Sequence, residues 1–94
     1  MKIEFVWDKA KAQANVKKHG LSFEEATTAF YDERALLISD PVHSVGEERF
    51  ILLGRSNEDR ILVVVHLYWE KDEVIRLISA RLATRSESNQ YFAR

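Results

Sequence analysis

Hydrophobic and polar positions change their period once along this chain. Ile3-Glu4-Phe5-Val6-Trp7 opens in alternation and predicts a strand. Lys9 to His19 are mostly helix formers, with Asp8 placed as an N-cap. Gly20 follows where a helix end needs positive φ, and Lys17-Lys18-His19 suit the negative pole of that helix. Ser22-Phe23-Glu24-Glu25 has the pattern of a capping box, a serine with glutamate three residues on. Phe23, Ala26, Thr27 and Phe30 then recur at helical spacing, so a second helix is predicted to end near Tyr31-Asp32. The link between the helices is short enough to make them a hairpin.

Beyond Asp32 the pattern becomes β-rich. Ala35 to Ser39, Arg49 to Leu53, Ile61 to Tyr68 and Val74 to Ala80 read as strands. They are separated by Asp40 to Gly46, Gly54 to Asp59 and Glu70 to Asp72. The last two gaps have the character of hairpin turns, which makes these strands antiparallel. Ile61 to Val65 is apolar on both faces, as a central strand covered on both sides would be. Thr84-Arg85-Ser86-Glu87 is a second capping box and opens a short helix to about Phe92. The expected fold is α+β, a single domain over 1–94 in the order β-α-α-β-β-β-β-α. A twisted antiparallel sheet would carry the helical hairpin on one face and leave the other as a concave working surface.

Composition narrows the class. Ninety-four residues with 46% hydrophobic content suffice for one modest core. The absence of cysteine excludes disulfides and thiolate metal sites and favours the cytoplasm. The start lacks the apolar region of a signal peptide, and Ile61 to Val65 is too short to cross a bilayer, so no membrane is expected. Net charge is only −1, but the distribution is uneven. From residue 76 onward Arg76, Arg81, Arg85 and Arg94 face a single acid, Glu87. A planar guanidinium fork suits phosphate, although it suits surface ion pairs as well.

Four separated segments carry a family resemblance. The first is Phe5-Val6-Trp7-Asp8 with Asn15, Lys18-His19-Gly20 and Phe23-Glu24-Glu25-Ala26. The second runs from Asp40-Pro41 through His43 to Gly46-Glu47-Glu48-Arg49. The third is Leu62-Val63-Val64-Val65-His66. The fourth is Arg76-Leu77-Ile78-Ser79-Ala80-Arg81 with Ala83-Thr84 and Tyr91. In this order and spacing the chain resembles the BrnT family of bacterial toxins across almost its whole length. The resemblance implies a RelE-like fold and a ribonuclease that cleaves RNA without a metal or other cofactor and inhibits translation. It implies a cognate antitoxin partner of ribbon-helix-helix, BrnA-like type, with operator DNA bound only through that antitoxin. In one place the chain departs from the family pattern: Glu87 is followed by Ser88 where the family tends to carry arginine.

Metal-free cleavage by the ribose 2′-OH needs a base, cations for the phosphoryl oxygens and an acid for the departing 5′-oxygen. Arg76 and Arg81 are the leading cations, with Arg49 as a third. Each could instead be a surface ion-pair partner of a nearby glutamate. Arg76 and Arg81 are five apart, so in an ideal strand they point to opposite faces; sharing a site requires a bulge or a strand end between them. His19, whose side-chain type titrates near neutrality, is a candidate proton carrier, or simply part of a helix end. Glu47 and Glu48 compete for the base role, and Glu48 is the candidate retained. Lys18, Arg85 and Tyr91 are candidate RNA contacts, Tyr91 by stacking or else by packing the last helix. His43 and Glu47 have metal-ligand spacing only on a helix, which Pro41 and Gly46 oppose, so no metal site is expected. His66, inside the most apolar strand, reads as a core histidine. Against the nuclease stand two alternatives: a non-catalytic degenerate toxin that serves as an antitoxin-binding corepressor, and a stand-alone RNA-binding domain.

Overall fold

The computed structural model describes residues 3–40, 46–71 and 73–93. Through them run β1 (Glu4–Val6), α1 (Lys9–His19), α2 (Phe23–Thr28), a 3₁₀ turn (Ala29–Tyr31), β2 (Leu36–Ser39), β3 (Phe50–Arg55), β4 (Ile61–Trp69), β5 (Val74–Leu82) and α3 (Arg85–Phe92). This is the element order read from the sequence. The described strands form one sheet in the order β1-β5-β4-β3-β2. β2 to β5 are antiparallel neighbours. β1 is the exception: Glu4–Val6 lie parallel to Val74–Arg76, so the sheet is mixed. Turn chemistry predicts pairing only between strands joined by short turns. β1 finds its partner across most of the chain, which no local signal reports.

The helix ends follow their local chemistry. Asp8 Oδ2 accepts the Lys11 N–H at 3.2 Å, and Gly20, at φ 67°, donates its N–H to Val16 O at 2.8 Å. Yet α1 has no apolar stripe, and Asn15 is the residue it buries. Asn15 fastens the helix to the sheet instead. Its Nδ2 donates to Leu21 O (2.9 Å) and Ala80 O (2.8 Å), and its Oδ1 accepts the Ala80 N–H (3.0 Å). β1 pairs with β5 only as far as Arg76, so the Asn15 amide takes the place of a strand neighbour for Ala80.

The main core lies between the helical hairpin and the sheet. Leu21, Phe23, Ala26 and Ala29 pack on Leu52, Leu62, Val64, Ile75, Leu77 and Ala80. At Gly54 an added Cβ would lie 3.0 Å from Ala29 O and 3.2 Å from the Ala35 Cβ, so the 3₁₀ turn can come this close only over glycine. His66 is fully buried in this layer. Its Nδ1–H donates to Val64 O (3.0 Å), and its Nε2 accepts from the Tyr68 hydroxyl (3.2 Å), the roles of a neutral imidazole. Burial pushes its pKa down to about 4. It is the core histidine the sequence suggests.

A smaller cluster, Leu53, Val63 and Tyr91 with Leu36, Ile51, Ile61 and Ala83 around it, occupies the opposite face. α3 therefore covers one end of the face left open by the hairpin. No helix among the described residues is long and apolar enough to cross a membrane.

Candidate active site

The uncovered part of the sheet is organised by an irregularity in β5. Val65 pairs with Ser79 but His66 pairs with Leu77, which leaves Ile78 as an extra, unpaired residue. Without it, Arg76 and Arg81 would point to opposite faces. With it, Arg76 stands opposite Leu67 and Arg81 opposite Val63, both on the open face. The bulge meets the geometric condition that the spacing of the two arginines sets.

Beside the bulge the open face sinks into a hollow of about 310 Å³ lined by Asp40, Arg49, Ile51, Val63, Val65, Ile78, Ser79 and Arg81. Arg49, just ahead of β3, and Arg81, near the end of β5, thus share one concavity. Ile78 and Ser79 also border a second cleft of about 230 Å³, whose other walls are Lys11, Ala14, Asn15, Lys18 and His19. The unpaired stretch of β5 is a ridge with two arginines on one side and two lysines and a histidine on the other. Asn15 fixes this arrangement, since it ties α1 to Ala80 beside the ridge.

Arg81 is held firmly. Its two terminal nitrogens donate to Glu87 Oε1 and Oε2 at 2.8 and 2.9 Å, a bidentate pair. Glu87 Oε1 also accepts the Thr84 N–H at 2.8 Å, while the Thr84 hydroxyl accepts the Glu87 N–H, so the capping box at the start of α3 is complete. Hydrogen bonding from Arg81, opposed by burial and helped by Thr84, brings the Glu87 carboxyl down to about 2. The same pairing raises the Arg81 pKa.

The other sequence-derived candidates are more scattered. Arg76 shares the open face but does not line the hollow; its guanidinium lies 5.2 Å from the centroid of the Trp69 ring. Glu48 lines a different hollow of about 430 Å³ with Glu47, Phe50, Leu67 and Tyr68. Glu47 accepts the Trp69 indole N–H at 3.1 Å. Arg85 is exposed in the first turn of α3. Tyr91 is buried, and its hydroxyl donates to Asp32 Oδ2 at 2.6 Å, so its ring packs α3 onto the sheet and is closed to a base. Burial opposes ionisation of Asp32, but hydrogen bonds from Tyr91 and from the Arg55 and Arg34 backbones hold its pKa below the usual value. His43 lies outside the described residues. Among the described residues no three His, Asp or Glu side chains gather as metal ligands.

Three participants escape the sequence reading. Lys11 stands seven residues before Lys18, a spacing that puts both on one helix face. Ser79 precedes Arg81 by two, and alternation places them together. Glu87 shows as a capping residue, but nothing local reveals that Arg81 reaches it.

A mixed sheet with a helical hairpin on one face and a short helix closing the other defines the chain as a RelE-like α+β protein. The family model described as ribonuclease toxin, BrnT, of type II toxin–antitoxin system matches residues 7–87, and the chain belongs to that family. The crystal structure of the Brucella abortus ribonuclease toxin BrnT is similar in fold, with a TM-score of 0.69 and 24% sequence identity over 89% of this chain and 100% of that one. Comparison with curated protein sequences gives no significant match.

Proposed function

We propose that this protein is a metal-independent endoribonuclease toxin that cuts RNA by 2′-OH attack, inhibits translation, and is neutralised by a cognate antitoxin. Family membership supports the class. The single observation that carries the chemistry is that Arg49 and Arg81 line one hollow, across a bulge from His19 and Lys18. In this reading the two guanidinium groups bind the scissile phosphate and stabilise its developing charge. Glu87 positions Arg81 by occupying two of its five N–H donors, Leu82 O accepts a longer bond from one of the same nitrogens at 3.3 Å, and the remaining donors are left for oxygen ligands. His19, over the ridge of Ile78 and Ser79, is the group assigned to carry a proton, and Lys11 and Lys18 hold the neighbouring backbone. Glu48, in a separate hollow, takes no part in the proton transfer.

The test is inducible expression of R49A/R81A beside the unaltered protein, with growth, RNA integrity and antitoxin binding followed together. Growth arrest and RNA cleavage are expected to disappear while folding and antitoxin capture persist. A double variant that still arrests growth and cuts RNA refutes the assignment.

One observation favours a second reading. Arg81 is already neutralised by Glu87, and Asp40 adds another acid to the same hollow. A degenerate toxin acting as corepressor would bind its antitoxin tightly, and the antitoxin rather than the toxin would touch operator DNA. Such a protein would cause no arrest when expressed alone.

A further inference from the structure

The pair formed by Arg76 and Trp69 has no part in the phosphate hollow, yet its construction resembles a recognition surface more than a structural contact. Trp69 ends β4 with 36% of its surface exposed. Its indole N–H is tied to Glu47 Oε2 at 3.1 Å, which fixes the ring plane. Arg76 lies over that ring at 5.2 Å. Among the described residues no ion pair joins Arg76 to a carboxylate; the acid beside its Trp69 partner, Glu47, is engaged by the indole N–H. A half-buried arginine flanked by Val74, Ile75, Leu77 and Ile78 is costly unless its charge or its plane is used.

Position gives the use. Through the bulge at Ile78, Arg76 shares a face with Ser79 and Arg81. Its partner Leu67 is two residues along β4 from Val65, which lines the phosphate hollow, a separation of about 7 Å. That is the order of one nucleotide step in an extended single strand. A planar cation on a pinned aromatic ring offers stacking to any base, with no hydrogen-bond code.

We infer that Trp69 and Arg76 form a stacking subsite for the nucleobase next to the phosphate held by Arg49 and Arg81, so that the substrate is single-stranded RNA with an unstacked base at that position. This rests on the nuclease reading, and it moves Arg76 from phosphate binding to base binding.

The test uses a short 2′-O-methyl RNA, which cannot be cleaved, and the full-length protein. Trp7 packs edge-on against Phe23 at 5.8 Å in the hairpin-side core, so a change in indole emission on binding reports Trp69. Emission should be quenched by the oligonucleotide, and W69A should bind about 10-fold or more weakly, the usual scale for loss of one base stack. Trp69→Leu keeps the apolar bulk and should bind as weakly as W69A if the aromatic plane is what matters. R76K, which keeps the charge but loses the plane, should behave like R76A. With cleavable RNA these variants should change KM more than kcat. Unchanged affinity in W69A and Trp69→Leu, unquenched emission with RNA bound, or full rescue by R76K each overturn the subsite while leaving the nuclease intact. Loss of antitoxin binding in W69A with normal RNA affinity would instead make Trp69 a partner contact and overturn it too. Absence of any RNA binding by the unaltered protein removes both readings.

Discussion

Each face of the sheet carries a helix whose third residue is a glutamate gripping an arginine, from the β3–β4 turn on one side and from β5 on the other, and the two grips serve different ends. On the hairpin side Ser22 accepts the Glu25 N–H, as a capping box requires, but the Glu25 carboxylate turns away from the helix. It takes Arg60 in a bidentate pair and accepts the Ser56 hydroxyl at 2.6 Å, locking α2 to the turn between β3 and β4. On the other side Glu87 closes its box and holds Arg81 as well. The Glu25 grip borders a hollow of about 390 Å³ whose other charged walls are Glu24 and Glu58, an acidic surface that does not suit phosphate, and is structural. The Glu87 grip borders an open hollow and sets the geometry of a guanidinium that has donors to spare. One sequence motif thus yields a clamp or a positioning device according to the charge of the hollow beside it.

The largest expected effect belongs to the filled face. His66 is neutral when folded, with its pKa lowered from 6.5 to about 4 by burial. A histidine with a depressed folded pKa gives stability that is complete above 6.5 and is lost as pH falls towards 4. The span corresponds to about 3 kcal/mol. Urea midpoints should therefore drop steeply between pH 6.5 and 4, and a His66→Gln variant should be less stable at neutral pH but nearly flat over that window. An equally steep slope in the variant would assign the loss to other groups. The two carboxylates act lower, since their folded pKa values are depressed from the ordinary range near 4.5. Their stabilisation is present above that range and is lost as pH falls below it, towards about 2 for Glu87.

Next in size is Glu25→Ala. It leaves the Ser56 hydroxyl and the Arg60 guanidinium without their acceptor, where charge-assisted hydrogen bonds contribute about 1–2 kcal/mol. Thermal unfolding should shift down by roughly 5–10 °C in a domain of this size. RNA affinity and growth arrest should stay as they are once folding is confirmed. A loss of RNA binding in the folded variant would erase the distinction between the two grips.

How much of this could be read along the chain follows the same division. Helix limits, caps, the hairpin and the β2 to β5 strands are local, written in Asp8, Gly20, Ser22, Thr84 and the turn residues, and they appear where those residues put them. Two features are not local. The parallel pairing of β1 with β5 depends on contacts across some 70 residues of chain, and the destination of each Glu carboxylate depends on which arginine arrives nearby. The two boxes look alike as Ser22-Phe23-Glu24-Glu25 and Thr84-Arg85-Ser86-Glu87, and only the fold separates them. The bulge at Ile78 is intermediate. Sequence spacing shows that Arg76 and Arg81 need a bulge or a strand end between them to share a site, but not which of the two exists. Tyr91 illustrates the limit from the other side: the aromatic residue is visible, but whether its ring meets a base or Asp32 depends on how α3 docks.

The smallest effect on stability, and the sharpest on the comparison, is expected from Glu87→Gln. The amide can still accept the Thr84 N–H, so the cap survives, and because the Arg81 and Glu87 side chains are 40% and 30% exposed, solvent screening should hold the stability change to about 1 kcal/mol. What disappears is the negative charge beside the hollow and the symmetric hold on Arg81. Binding of non-cleavable RNA should tighten several-fold, because a phosphate no longer competes with a carboxylate for the same guanidinium. The salt dependence of binding should steepen by close to one ion, as one more cation becomes free to neutralise phosphate. Cleavage should slow all the same, since tighter binding of a poorly oriented cation stabilises bound substrate without stabilising the transition state. Glu25→Gln, the matched change on the filled face, should move neither quantity. If Glu87→Gln instead leaves RNA affinity and cleavage unaltered, Glu87 is a clamp like Glu25, and Arg81 contributes to packing rather than to the site.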